Sequence, residues 1–164
     1  MTVISTQRLV LRKPAHSDKH ALIEQIGTWD VAKWLTRVPY PYTESHADEF
    51  LHMTKDHPFN LSIFRHHTLI GGVLLAEDTA EQSYELGYWL GASHWGHGYV
   101  TEAAHAFLNV VKCTYDAKHI KASYINGNDA SAHVLGKLGF KETGNEDTYC
   151  LPRKKRSEER RVGK

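Results

Sequence analysis

Two glycines separated by one residue, Gly96 and Gly98, lie where a strand-like run meets a helix-like run. The apolar and aromatic residues 84–90 precede them, and helical spacing continues from Tyr99 to about Lys112. Glycines lack the Cβ that would keep an anion away from the main chain, and a helix N-terminus carries a partial positive charge. We therefore expect a backbone loop whose N–H groups can bind a phosphate.

A lone Gly-x-Gly is a weak signal, because such glycines often only close a turn. A second segment, residues 126–140, strengthens it. Asn128 is a typical helix-start residue, a short amphipathic run follows, and Gly139 and Phe140 end it. The segment predicts a strand end followed by a short helix over residues 130–138.

Together the two segments resemble the signature regions of the GNAT N-acetyltransferase superfamily, and most closely its ribosomal-protein (RimJ/RimL-like) branch. The resemblance covers residues 5–145 with the family's order and spacing. Its matching stretches are Thr6–Arg12, Tyr40–Thr43, Glu85–Leu90, Trp95–Ala103, Asn128–Ser131 and Lys137–Phe140. It implies an α+β (mixed α/β) architecture, the GNAT-type acyl-CoA N-acyltransferase fold, with a partly antiparallel central sheet and flanking helices.

The resemblance also implies acetyl-CoA as the cosubstrate. Its pantetheine is expected beside the end of the strand at residues 88–91, where this strand splays from one at residues 120–125. The residues assigned to cofactor binding are Tyr88, Trp89, Leu90, Gly91, Trp95, Gly96, His97, Gly98, Tyr99, Val100, Thr101, Asn128 and Ser131. The family often has Gln or Arg before these glycines, but Ser93 and His94 stand here. We expect backbone dipoles, without a fixed cation, to hold the pyrophosphate.

The implied reaction is direct attack of a primary amine on the thioester in a ternary complex, which expels a thiolate. Glu85 is the candidate base, since it lies on the strand beside the expected cleft; a solvent-facing carboxylate is the alternative. Many family members use a Tyr of the last helix as the acid, but Leu135 stands at that position. Ser131 matches the Ser of the ribosomal-protein branch, with a helix-capping role as its alternative. Positioning alone can also supply much of the rate.

Aromatic residues are the candidates for the acceptor pocket. Trp34, Tyr40 and Tyr42 fall in the segment that covers the acceptor site in this family, and packing of helices onto the sheet is the equal alternative. Tyr88 and Trp89 are consecutive in a predicted strand, so their side chains point to opposite faces of the sheet.

The remaining elements follow from periodicity and turn residues. A turn at residues 66–67 joins the first pair of three strands in series. The predicted strands are residues 7–13, 59–65, 69–77, 83–90 and 120–125, and the predicted helices 17–26, 30–35, 44–55 with Thr43 as N-cap, the run from the glycine loop to about 112, and 130–138. Residues 140–151 predict a short hairpin.

The chain of 164 residues has a net charge of +1, and its basic groups are concentrated at the end. Residues 153–164 contain seven Lys or Arg and two Glu. We expect residues 1–152 to form a single domain and residues 153–164 a mobile basic tail without a function.

Two cysteines, Cys113 and Cys150, provide no disulfide framework, which favours a reducing cytoplasm. The twelve histidines show no metal-binding spacing, so no metal is expected. Neither a signal peptide nor a membrane span is expected. The expected partners are acetyl-CoA and an amine, either a small molecule or a protein N-terminus, with no nucleic acid or membrane. Because closed two-fold assemblies are common and the branch often dimerises, a homodimer is expected.

Two other functions are compatible with these residues. The acceptor can be a small amine, such as a polyamine, an amino acid or an antibiotic, rather than a protein N-terminus, and an acidic pocket would favour a polyamine. A non-catalytic acyl-CoA-binding sensor of the same fold would bind the cofactor but transfer nothing.

Overall fold

The computed structural model describes residues 2–115, 117 and 119–164. The helices in this part of the chain are α1 Lys19–Ile26, α2 Trp29–Ala32, α3 Glu44–Thr54, α4 Tyr99–Thr114 and α5 Asp129–Lys137. The strands are β1 Ile4–Ser5, β2 Val10–Arg12, β3 Asn60–Arg65, β4 Thr68–Asp78, β5 Ser83–Leu90, β6 Ile120–Ile125, β7 Lys141–Cys150 and β8 Lys155–Gly163. No helix among these residues has the length and apolar composition that a membrane crossing requires.

These strands form one mixed sheet in the order β1-β2-β3-β4-β5-β6-β8-β7. Neighbouring strands are antiparallel except β5 and β6, which are parallel. Helices α1 and α3 lie against one face and α4 against the other, each over its own cluster of buried side chains. The expected α+β GNAT-type architecture, with a partly antiparallel sheet and flanking helices, is therefore confirmed.

Local sequence explains where α3 begins and how the chain turns between β3 and β4. Thr43 caps α3: its hydroxyl accepts from the His46 N–H, and His46 Nδ1 accepts from the Thr43 N–H at 3.0 Å. His66 and His67 both have positive φ angles, 49° and 65°, as in the tight turns that join antiparallel strands. The predicted cap and turn are both confirmed.

The two parallel strands diverge soon after they meet. They pair at Tyr84 with Ile120 and at Glu85 with Lys121, and the described residues form no further pairs between them. The edge of β5 that faces β6 is therefore without a strand partner over residues 86–90. The expected splay is present at this point, and it opens the sheet.

The expectation that residues 153–164 form a mobile tail outside the domain is wrong. Residues 155–163 form β8, which lies between β6 and β7, rather than a tail outside the domain. The predicted short hairpin at residues 140–151 is accordingly too short, because β7 alone spans most of it. The reason is that β8 is polar on both faces, so hydrophobic alternation, the signal for a half-buried strand, is missing. Only Val162 near its end is buried in the core.

Acidic residues of β7 balance much of the charge of β8. Arg160 contacts Glu142 at 3.3 Å, and Arg161 pairs with Glu146. Basic groups that look like a charged tail in the sequence are therefore cross-strand partners in a hairpin.

We predict that Val162→Ala lowers the free energy of unfolding by about 1–3 kcal/mol, because it removes buried methyl groups from the core beside β6. Val3→Ala is the matched control, since Val3 is 54% exposed. Urea denaturation of both variants measures the difference. Equal midpoints would mean that β8 contributes nothing to the folded core.

Candidate active site

A cleft of about 780 Å³ passes through the opening between β5 and β6. Residues 31–53 form one wall, and the glycine loop, α5 and the β7–β8 hairpin form the others. The sequence-predicted residues that line it are Trp34, Tyr42, Glu85, Tyr88, Trp89, Leu90, Trp95, Gly96, Gly98, Tyr99, Val100, Thr101, Asn128 and Ser131. Candidates that are far apart in the sequence therefore surround one cavity.

Three predicted site residues lie outside this lining. Gly91 packs against α1, where a Cβ would collide with Gln25 Oε1, so its lack of a side chain serves helix packing. Tyr40 packs on Trp29, with ring centroids 5.1 Å apart. His97 has an exposed imidazole beside the ring of Tyr99, and only its backbone belongs to the glycine loop.

The glycine loop has the backbone that the sequence predicts. Gly96 and Gly98 adopt φ angles of 78° and 77°, in the left-handed region that favours glycine, and Gly98 directly precedes α4. In the part of the chain that the structure describes, no acceptor within the protein takes the N–H groups of residues 96–101. Six consecutive donors therefore remain free at the positive end of a 16-residue helix.

A cation that the sequence analysis did not anticipate, Arg8, lies beside this loop and is paired with Glu102. Arg8 Nη1 donates to the carbonyl of His97 at 2.9 Å. The Arg8 Nε and backbone N–H also donate to Glu102, whose Oε1 accepts from Thr6 Oγ1 at 2.6 Å. Burial alone would raise the pKa of Glu102, but the bonds from Thr6 and Arg8 outweigh it and lower that pKa. This ion pair ties the start of the chain to the first turn of α4.

Two hydroxyl groups meet on the α4 and α5 side of the sheet. Tyr88 Oη and Ser131 Oγ are 2.6 Å apart. Burial raises the pKa of Tyr88 to about 12, so the phenol keeps its proton at neutral pH. The helix-capping alternative for Ser131 is wrong, since Asn128 caps α5 by accepting from the Ser131 N–H at 3.2 Å. The hydroxyl of Ser131 is therefore available for Tyr88 and the cleft.

Carboxylates occupy the opposite face. Ser123 Oγ donates to Glu85 Oε1 at 3.1 Å and also interacts with the carboxylate of Glu159. Burial raises the pKa of Glu159 and the charge of Glu85 adds to this, against hydrogen bonds from Ser123 and Thr148 and the charge of Arg37. Glu159 lies on β8, in the segment that the sequence suggested was a tail, and was therefore missed. Glu159 and Arg161 are two residues apart, so in a strand their side chains point to the same face. This spacing of charged residues was the signal in the sequence that could have indicated a strand.

Aromatic side chains form the wall beside these carboxylates. The indole of Trp89 lies over Gly72 of β4, where a Cβ would approach its Nε1 to 2.6 Å. Trp89 packs with the α1 and α3 cluster and Tyr88 with the α4 cluster, which confirms that their side chains point to opposite faces. Burial raises the pKa of Tyr42 to about 12, with a contribution from the charge of Glu49.

The tip of the β7–β8 hairpin is bonded to the loop that follows α2. Leu151 N–H donates to the Thr36 carbonyl at 2.9 Å, and Arg153 Nε donates to the Lys33 carbonyl at 2.7 Å. The Arg153 guanidinium also lies 5.1 Å from the ring centroid of Trp34. These contacts join two walls of the cleft and fix Trp34 in its lining.

The described residues contain no group of three His, Cys, Asp or Glu side chains placed to hold a metal ion. The polar groups described above along the cleft are free N–H donors, a hydroxyl pair and carboxylates.

Solved structures that superpose on this chain include acetyltransferases. A GNAT-family acetyltransferase from Bacillus anthracis superposes with a TM-score of 0.87 at 22% identity, covering 99% of this chain and 98% of that one. RimL, a ribosomal L7/L12 alpha-N-protein acetyltransferase in complex with coenzyme A, gives 0.83 at 16% identity, covering 99% and 97%. At these identities the likeness establishes the shared fold.

Sequence comparison adds the family. The uncharacterised N-acetyltransferase p20 of Bacillus licheniformis is 26% identical over 153 residues, covering 88% of this chain and 85% of the relative. YnaD of Bacillus subtilis (strain 168), also an uncharacterised N-acetyltransferase, is 26% identical over 144 residues, covering 86% and 84%. A profile of the acetyltransferase (GNAT) domain matches residues 8–141, so this chain belongs to the GNAT acetyltransferase family.

Proposed function

We propose that this protein is an N-acetyltransferase that transfers the acetyl group of acetyl-CoA directly to a primary amine in a ternary complex. One observation carries the proposal: a single cleft passes through the sheet with free N–H donors at the glycine loop, a hydroxyl pair on one face and carboxylates on the other. Two substrates can therefore approach one point from opposite faces of the sheet.

Acetyl-CoA fits the side of the cleft that holds the glycine loop. The pyrophosphate would accept hydrogen bonds from the N–H groups of residues 96–101, with Arg8 supporting the loop. The pantetheine would lie along the unpaired edge of β5 over residues 86–90, between Tyr88 and Asn128. Structural neighbours with bound CoA or acetyl-CoA, RimL and the microcin C7 self-immunity protein MccE, support this assignment of the cosubstrate.

The reaction needs a neutral amine and a stabilised leaving group. Glu85 takes a proton from the ammonium, directly or through water, because an alkyl ammonium of pKa near 10.4 is otherwise charged at neutral pH. The amine nitrogen attacks the thioester carbon, and the C–S bond of the tetrahedral intermediate then breaks.

The departing thiolate accepts a hydrogen bond from Ser131, which Tyr88 supports from behind. A thiol of pKa near 8.5 is a stronger acid than a phenol of pKa about 12, so this pair stabilises the thiolate instead of giving up a proton permanently. The protonated amide nitrogen, which must lose a proton, is the final source of the proton on sulfur.

The proposal retains the cytoplasmic homodimer expected from the sequence.

We predict that Gly98→Val weakens acetyl-CoA binding by at least tenfold, or about 1.4 kcal/mol. A β-branched residue at a φ of 77° must move the loop away from the phosphate position. Gly144→Val is the matched control, since Gly144 lies on β7 with nothing within 4 Å of an added Cβ. Calorimetry on folded protein measures both, and an unchanged affinity for Gly98→Val would contradict the assignment of the loop.

We predict that Ser131→Ala lowers kcat by about 10²-fold while acetyl-CoA binding and the melting temperature stay nearly the same. Its hydroxyl acts on the leaving sulfur, whereas the cap of α5 belongs to Asn128. Asn128→Ala is the contrasting variant, with an expected loss of about 1 kcal/mol in stability. Steady-state kinetics and thermal melts on the same preparations separate the two roles, and an unchanged kcat in Ser131→Ala would remove Ser131 from the mechanism.

A screen of amines and N-terminal peptides with acetyl-CoA, in which the release of free thiol is measured, tests the function itself. Acetyl-CoA binding with no thiol release for any amine would contradict catalysis and leave the acyl-CoA sensor as the explanation.

A further inference from the structure

The carboxylates of Glu85 and Glu159 share one hydroxyl group, that of Ser123. A serine hydroxyl has a single proton, so it can donate to only one of them at a time. Among the described residues, no Lys or Arg nitrogen lies within 4.0 Å of either carboxylate. The charge of Arg37 acts on Glu159 from beyond salt-bridge distance, so these neighbouring carboxylates lack a cation in direct contact, and an ammonium group with three N–H donors can supply it.

The other charged groups of the cleft lining leave this end negative. Arg161 pairs with Glu146, which lies directly opposite Glu159 in the β7–β8 ladder, so that pair is neutral. Arg37 is the remaining basic residue of the lining, and Glu49 of α3 is a further acidic one. Counted as ionised, three carboxylates and one guanidinium give this end a formal net charge of −2.

The two histidines of the lining do not change this charge. His46 Nδ1 accepts a hydrogen bond from the Thr43 N–H, so that nitrogen carries no proton. Burial lowers the pKa of His94, and the charges of Arg65 and His97 lower it further. The lowered pKa leaves the His94 imidazole neutral at pH 7.

The walls fit a flexible carbon chain. Aromatic side chains line this end, and the faces of such rings attract both methylene groups and ammonium ions. These residues are Trp34, Tyr42, Phe50 and Trp89. The hydrogen bonds from the hairpin tip to residues 33–36 join the walls at this end of the cleft.

We propose that the acceptor is a small linear amine with two positive charges. Its reacting ammonium lies between Glu85 and Glu159, where Glu85 takes its proton, and its second ammonium lies towards Glu49, beside the ring of Tyr42. This inference rests on the proposed function and names the substrate class of the same site. Two positive charges on the acceptor match the charge of −2 that the lining presents.

Diaminobutane and butylamine are the probes, because they share the reacting group and the chain but differ in the second charge. With the full-length protein, saturating acetyl-CoA and low ionic strength, we expect kcat/KM to be about tenfold or more higher for diaminobutane. The preference should shrink as salt is added, because exposed charges are screened. Equal kcat/KM values, or a higher value for a peptide with an uncharged side chain at its N-terminus, would overturn the inference.

Two substitutions separate the roles of the carboxylates. Glu49→Gln should lower kcat/KM for diaminobutane by about threefold to fivefold, as expected for an exposed charge pair, and should lower it less for butylamine, which has no second ammonium. Glu159→Gln should lower kcat/KM for both amines by about tenfold or more, since both place an ammonium group there. Glu24→Gln, an exposed helical glutamate outside the cleft, is the matched control. A loss for butylamine in Glu49→Gln as large as the loss for diaminobutane would contradict the second contact.

Direct binding distinguishes failure of this inference from failure of the proposed function. Calorimetry of diaminobutane against the CoA-bound protein should detect binding that Glu159→Gln weakens. Acetyl transfer to amines with no preference for the diamine overturns the substrate class alone. Diamine binding without thiol release from acetyl-CoA overturns the proposed function alone.

Discussion

The separation of β5 from β6 is the constraint on which the rest of the site depends. A sheet that stayed paired along its whole length would be a continuous barrier between its two faces. Because the strands pair at only two positions, a cleft passes between the helices on one side and those on the other. The proposed two-substrate reaction uses this opening, since cofactor and acceptor can meet there without sharing an entrance.

The two sides of the opening differ in their polar chemistry. The side with α4 and α5 presents neutral donors, namely backbone N–H groups and a hydroxyl pair whose phenol stays protonated because it is buried. The other side presents carboxylates. Phosphate and thiolate groups carry negative charge and alkyl amines carry positive charge, so each side suits one of the two proposed substrates.

The sequence was sufficient for most of the fold and for the backbone of the glycine loop. Positions 96 and 98 could be assigned because glycine at positive φ before a helix has a direct signature, and the caps of α3 and α5 follow from Thr43 and Asn128. Family membership, established by the match to residues 8–141, agrees with that assignment. Contacts between segments that are far apart in the sequence have no such local signature. The hydrogen bond from Arg8 to the glycine loop, 89 residues away, is one example.

The carboxylate side of the cleft was the least predictable part. Strand β8 carries charged residues on both faces. One face lines a polar cleft, and basic residues of the strand form ion pairs with acidic residues of β7. Periodicity detects burial against an apolar core, so a strand stabilised mainly by its ladder and by cross-strand charge pairs has no such pattern. Tyr40 and Gly91 were assigned to the site from their position in the chain, yet their packing on Trp29 and Gln25 depends on how helices meet.

The position of the β7–β8 hairpin in the chain has an evolutionary consequence. Glu146, Glu159, Arg161 and the hairpin tip all follow residue 141, where the match to the family profile ends. The profile match thus includes Glu49 and Glu85 of the proposed amine site but not Glu159, which belongs to this hairpin. In the proposed reaction, substitutions in this one C-terminal hairpin would alter the contact with the amine while the glycine loop and its helix stay intact.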